Sequence, residues 1–341
     1  MRGFFAVALV AATAAQVTPC GPGLCFSGQF NDNMILQRAP YRAAVYGTLA
    51  PAGSAVSITL STSDGSYNKS FPGTSDPETG TWKVLFDAMP TGGNYSAAIS
   101  CPSCSGDPVS PLVNLTFGDV FYCSGQSNSF VSSARKLAPH AKRSPQNPFP
   151  NTPNTKQPNR WLPLWFTFAR NQSDYDIREG RYDNVAFLPS QQRDATNKTG
   201  NWIAPERGQR GNCVEHGRGT GVWCTGKDLV DRPFRPDQGE SDLWEVEATC
   251  WYTLAYLTDL MRAQGETPPP LGFIATPEGG TMVEQWTDFS TQKQCKNMTC
   301  LCSTPGCNSS QPLDPEICWG NGGLYRANVE PYVNTTIRGF M

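Results

Sequence analysis

Along the first third of the chain, apolar residues recur in short runs that partly alternate with polar ones. Ala44-Val45-Tyr46, Val56-Ser57-Ile58-Thr59-Leu60, Trp82-Lys83-Val84-Leu85-Phe86 and Tyr95 to Ile99 are separated by turn formers such as Pro51-Ala52-Gly53 and Thr91-Gly92-Gly93. A period of two sends successive side chains to opposite faces of a strand. Several such strands at short spacing predict a small antiparallel β-sandwich over residues 16–117. The pattern changes after Phe117. Gly118-Asp119 leads into Val120-Phe121-Tyr122-Cys123, an unbroken apolar run suited to a strand buried on both faces, and Leu271-Gly272-Phe273-Ile274-Ala275 is a second. Between them Cys250, Leu254, Leu257 and Met261 recur at helical spacing, and Gly265 followed by Pro268-Pro269-Pro270 ends the run. Gly323 to Val333 suits another helix, and Ile337 to Met341 the start of a third buried strand. Strand, helix, strand, helix, strand is the order of a parallel sheet wrapped by helices, so residues 118–341 read as an α/β domain. A polar, proline-rich stretch and then irregular sequence predict a long insertion around 138–242.

Composition narrows the setting. The chain has 341 residues, 38% hydrophobic and 16% charged, with a formal net charge of -2, which is enough for two domains with their own cores. Without basic clusters nothing competes for polyanions, which argues against a nucleic-acid partner. Arg2, the apolar run Phe4 to Ala12 and the small residues Thr13, Ala14 and Ala15 have the order of a secretory signal peptide over residues 1–15. No stretch reaches the roughly 18 apolar residues of a membrane span.

An oxidising compartment agrees with 13 cysteines, and so do Asn-x-Ser/Thr sequons at Asn68, Asn94, Asn114, Asn171, Asn197, Asn297, Asn308 and Asn334, expected to carry glycan. Cys20 with Cys25 and Cys101 with Cys104 are close pairs. The group Cys295, Cys300, Cys302, Cys307 and Cys318 reads as a disulfide-stapled loop rather than a zinc site, because sequons are interleaved and no histidine lies nearby. No metal site is expected.

The candidate chemistry sits at strand ends. Val120 to Cys123 runs into the turn Ser124-Gly125-Gln126-Ser127-Asn128, and Leu271 to Ala275 into Pro277-Glu278-Gly279-Gly280-Thr281. Ligands of parallel sheets gather at the carboxyl ends of strands. A serine on a small-residue turn there suits acyl transfer, and a glycine lets a backbone N–H approach a substrate oxygen. A Gly-Gln-Ser-Asn turn also occurs simply as a turn.

Phe117-Gly118-Asp119-Val120-Phe121-Tyr122-Cys123-Ser124-Gly125-Gln126-Ser127-Asn128 resembles the nucleophile block of the sialate O-acetylesterase family, a branch of the SGNH hydrolases. Asn33-Met34-Ile35-Leu36-Gln37-Arg38-Ala39-Pro40 resembles its N-terminal sandwich motif, and Leu271 to Ile274 with Gly279-Gly280-Thr281 its second characteristic loop. The resemblance implies an SGNH-hydrolase-like, flavodoxin-like parallel sheet, incomplete here, behind the small sandwich. It also implies a secreted or lysosomal carboxylic ester hydrolase that needs no cofactor and removes O-acetyl groups from sialic acids or related glycans. Ser127 would be the nucleophile; Gly279, Gly280, Asn128 and Gln126 would form the oxyanion and substrate contacts. Two positions depart from the family pattern: Ser129 stands where Met is usual, and Glu278 where Trp is usual.

Gln238-Gly239-Glu240 resembles the family's Gln-Gly-Glu block but precedes the glycine loop and lacks an apolar strand before it, so it reads as an exposed turn. The family's Asp-x-x-His block has no counterpart in the sequence, and His140 and His216, in polar surroundings, read as surface imidazoles. The chain is therefore expected to be a front portion that lacks its base and is inactive alone, with an unpaired sheet edge that favours misfolding. The alternatives are a non-catalytic secreted glycan-binding protein and an acetylesterase acting on polysaccharide.

Overall fold

The computed structural model describes residues 24–48, 50–105, 109–125, 175–189, 214–215, 218–219, 223–230, 233–235, 240–241, 248–278, 281, 283–292, 322 and 324–341. The strands of the first part are β1 (Cys25–Phe26), β2 (Ile35–Gln37), β3 (Ala44–Thr48), β4 (Ala55–Thr62), β5 (Asn68–Ser75), β6 (Trp82–Leu85), β7 (Gly92–Ser100) and β8 (Leu112–Cys123). Those that follow are β9 (Val185–Pro189), β10 (Val214–Glu215), β11 (Arg218–Gly219), β12 (Cys224–Thr225), β13 (Pro233–Arg235), β14 (Glu240–Ser241), β15 (Leu271–Ala275) and β16 (Gly339–Phe340).

Alternation in the sequence becomes alternation of burial: Val56, Ile58 and Leu60 of β4 are buried, as are Trp82 and Val84 of β6. The antiparallel strands bond in the order β1-β3-β6-β5-β4-β7-β8. Where the pattern predicts a sandwich, hydrogen bonding follows this one path, and the path bends. Four strand spacings of about 4.8 Å would set β6 and β8 roughly 19 Å apart in a flat sheet. Yet Phe86, directly after β6, lies 6.3 Å from Phe117 of β8 and 5.0 Å from Phe71 of β5, ring centre to ring centre. The sheet thus curls around its own apolar face.

β8 joins the two halves of the protein. Its first residues pair with β7 and, in parallel, with β2, Ile35 opposite Thr116. Its last five pair in parallel with β15, Leu271 opposite Asp119 through Ala275 opposite Cys123. β15 also pairs in parallel with β9, and β16 with the other edge of β8. Every residue of β9 and β15 is buried, as an unbroken apolar run requires when both faces are covered. Val120, Leu188 and Ile274 face the core shared with the antiparallel strands. Cys123, Phe187 and Phe273 face the helix Ala248–Ala263, which buries Cys250, Trp251 and Leu254 against them. Gly265, at φ +77°, turns the chain out of that helix.

Three features differ from the sequence reading. Val185–Pro189, inside the stretch read as irregular, is a core strand; five residues are too few to show periodicity. In place of a helix over 323–333 there is a π turn, Tyr325–Val329, and a 3-10 turn, Glu330–Tyr332, where Pro331 withholds a backbone donor. The third parallel strand is two residues long, and Phe340 on it is 80% exposed.

Candidate active site

The carboxyl ends of β8 and β15 are bonded together beyond the strands themselves. Thr276 donates to the Cys123 carbonyl from its backbone N–H at 2.8 Å and from Oγ1 at 3.2 Å. Two residues further on, the Glu278 N–H donates to the Gly125 carbonyl at 3.1 Å. On the other side, the Ser124 N–H donates to the Met341 carbonyl at 3.2 Å. The turn after β8 and the loop after β15 therefore start side by side. Gly125 stands two residues before Ser127, and Glu278 immediately before Gly279.

The loop is braced from behind. Thr281 Oγ1 donates to the Glu278 carbonyl at 3.1 Å and accepts from Trp286 Nε1 at 3.0 Å, which ties it to the short turn Val283–Trp286. Below, the Tyr122 hydroxyl donates to the Asn328 carbonyl at 2.5 Å. Burial pushes the Tyr122 phenol up to about 12, against a smaller opposing effect of the Thr276 hydroxyl, so it acts as a neutral donor. On the opposite face a Cys123–Cys250 disulfide, Cα atoms 6.3 Å apart, fastens the end of β8 to the long helix. Glu278 itself is buried, at 8% exposure.

The turn after β8 and the loop after β15 thus leave from the same end of two paired parallel strands. No model of a known protein family matches the chain. A mouse sialate O-acetylesterase is 23% identical over 278 residues, which cover 81% of this chain and 39% of the mouse protein. The human sialate O-acetylesterase is 22% identical over 319 residues, covering 94% of this chain and 48% of the human protein. The chain is a distant relative of the sialate O-acetylesterases. It spans less than half the length of these relatives. Among solved structures, a carbohydrate acetylesterase from Xanthomonas citri aligns with 93% of this chain and 50% of its own, at 17% identity and a TM-score of 0.45.

Two of the segments singled out in the sequence meet in space. The Arg38 backbone N–H donates to the Gly118 carbonyl at 2.9 Å, and Gln37 Oε1 accepts the Val120 N–H at 3.0 Å, so the Gln37-Arg38 motif is docked on the strand that leads to Ser127. Gly118 is needed there: a Cβ on it would lie 2.0 Å from the Pro270 carbonyl oxygen. Gln126, Ser127, Asn128, Gly279 and Gly280 lie outside the described residues. So do His140, His216, the cysteine-rich segment 295–318 and residues 1–15. Glu240, from the Gln-Gly-Glu look-alike, pairs with Arg235 in a two-stranded hairpin apart from the parallel strands. Cys101 and Cys104 form a disulfide. Sequence reasoning missed the Cys123–Cys250 bridge, since each cysteine passes as an apolar member of its own pattern; an adjacent strand end and helix start were the available signal. Among the described residues, no helix is long and apolar enough to cross a membrane.

Proposed function

We propose that this chain carries the nucleophile half of a serine-dependent glycan O-acetylesterase. The observation that supports it most is the Glu278 N–H donating to the Gly125 carbonyl, which joins the bases of the serine turn and the glycine loop. In this reading Ser127 Oγ attacks the carbonyl carbon of an acetyl ester. Its own N–H, with that of Gly279 or Gly280, receives the developing oxyanion, while Gln126 and Asn128 contact the substrate. The C–O bond to the sugar then breaks, the sugar oxygen takes up a proton, and water releases acetate from the acyl-serine. No metal or organic cofactor enters these steps. The substrate is an O-acetylated sialic acid or a related acetylated glycan.

The serine needs a base, and no Asp-x-x-His motif occurs in residues 1–341. We therefore expect this segment alone to turn over about a millionfold more slowly than a protein that has its base. Passage through the secretory pathway, with glycan on the exposed sequons, completes the reading. The test is acetate release from 9-O-acetyl sialic acid by the complete secreted polypeptide that carries these residues, compared with its Ser127→Ala variant. Loss of release in the variant supports the reading; equal release overturns it. Glycan binding that survives Ser127→Ala without any wild-type release would favour a non-catalytic lectin instead.

A further inference from the structure

The turn that leaves β7 carries a bridge of a different kind from Cys123–Cys250. Cys101 and Cys104 are joined across a sequence separation of 3, with Cα atoms 5.3 Å apart, in the run Cys101-Pro102-Ser103-Cys104. Their pairing is local: the Cys104 N–H donates to the Cys101 carbonyl at 3.1 Å, so the turn itself keeps the two residues adjacent. Both cysteines are half-buried and the two residues between them are exposed, whereas Cys123 and Cys250 are each at 0% exposure. A thiol in solution can therefore reach the first bridge in the folded protein, and the second only after the long helix has moved off β8. So short a loop also restrains the unfolded chain far less than one closed across a separation of 127, so the fold loses less when the first bridge opens. Ser103 makes the two sulfurs unequal. Its Oγ lies 3.6 Å from Cys101 Sγ and is held by a hydrogen bond to Oγ of the buried Ser54 at 2.8 Å. Among the described residues, no hydroxyl is hydrogen-bonded to Cys104 Sγ.

We propose that Cys101–Cys104 is a thiol–disulfide exchange site, opened in the folded protein by low-molecular-weight thiols, with Cys104 the sulfur attacked and Cys101 the sulfur that leaves. The incoming thiolate forms a bond to Cys104 Sγ, the bond between the two cysteines breaks, and its electron pair goes to Cys101 Sγ. Ser103 turns its O–H toward the departing thiolate, while Ser54 becomes the donor between the two serines. A sulfur leaves faster when the charge it acquires is stabilised, and that sets the direction. A second thiolate then attacks the reagent's own sulfur in the mixed disulfide and releases Cys104. Two reagent thiols end as one disulfide, the bridge has taken up two electrons, and the protons the reagent gave up complete the two cysteine thiols. The turn keeps those thiols adjacent, so a small disulfide closes the bridge by the same steps in reverse. This site is independent of the esterase reading.

The probe is reduced glutathione, added to a folded polypeptide that contains these residues. Samples are quenched over time with excess N-ethylmaleimide, digested and mapped by mass spectrometry. Early samples should carry glutathione on Cys104 and maleimide on Cys101, at a rate at least about tenfold above that of any label on Cys123 or Cys250. Circular dichroism should stay unchanged over the same interval. Ser103→Ala should slow the opening by about threefold, and Ser103→Thr, which keeps the hydroxyl, should retain the rate. Cys101 and Cys104 that stay unlabelled until the protein unfolds, or that label no faster than Cys123 and Cys250, overturn the exchange site. Glutathione on Cys101 with maleimide on Cys104, or a rate indifferent to Ser103→Ala, overturns the assigned direction.

Discussion

The guanidinium of Arg38 grips both carboxylate oxygens of Asp119, Nε to Oδ1 at 3.1 Å and Nη2 to Oδ2 at 2.8 Å. Arg38 follows β2, and Asp119 sits where β8 passes from the antiparallel strands to the parallel ones. Gln37 Nε2 adds a third bond to Oδ1 at 3.2 Å, and Arg38 Nη1 reaches Thr91 Oγ1 at 2.7 Å. The pair is partly shielded, with side-chain exposures of 28% and 13%. Two planar groups held by two parallel bonds define an orientation as well as a distance. Asp119 is thereby the joint between the two halves of the sheet.

Arg38→Ala should cost about 1–3 kcal/mol, because among the described residues it leaves a shielded carboxylate with the Gln37 amide as its remaining side-chain partner. Arg38→Lys should recover only part of that, since an ammonium cannot reproduce the fork. Urea unfolding of the three proteins reads both values. A cost within error of zero for Arg38→Ala would show that the joint is held by other contacts.

Gly118→Ala should destabilise by about 2 kcal/mol or more, because the added Cβ would meet the Pro270 carbonyl oxygen at 2.0 Å and force β8 away from the start of β15. Thermal unfolding by circular dichroism measures it. The Asp119 N–H bond to that same carbonyl, at 2.9 Å, should be lost as well, which hydrogen exchange at Asp119 reports.

Cys123 and Cys250 are 127 residues apart in sequence, so their bridge closes a long loop. Removing it with Cys123→Ser should cost about 2–4 kcal/mol. Peptide mapping under non-reducing conditions should recover the two cysteines on one linked fragment, and a lowered unfolding midpoint in the variant reads the cost.

Much of this was legible in the chain. The strand Leu271–Ala275 is bounded as the apolar run predicts, and the helix Ala248–Ala263 follows from the spacing of Cys250, Leu254, Leu257 and Met261, because a packed face must repeat every three or four residues. What escaped has physical causes. Val185–Pro189 is buried on both faces and has no polar side to set a period. The curl of the antiparallel sheet depends on long-range contacts such as Phe86 with Phe117, which no local pattern encodes. Ser127 and Gly279 were marked by their position after apolar strands. The structure brings Gly125 and Glu278 together, while Ser127 and Gly279 lie outside the described residues.

Asn68, Asn94, Asn114 and Asn334 are all exposed, and Asn334 Oδ1 accepts from Lys83 Nζ at 3.1 Å. Secreted protein treated with an N-glycosidase should show aspartate at these positions by mass spectrometry. Unmodified asparagine at all four would contradict passage through the glycosylating compartment.

The acyl-enzyme itself gives the most direct test of the central claim. A polypeptide that contains these residues is mixed with an activated acetyl ester, quenched in acid and digested, and the acetyl group is located by mass spectrometry. The account predicts acetyl on Ser127, absent from the Ser127→Ala variant. Ester turnover with the acetyl group on another residue, or turnover undiminished in Ser127→Ala, would contradict it.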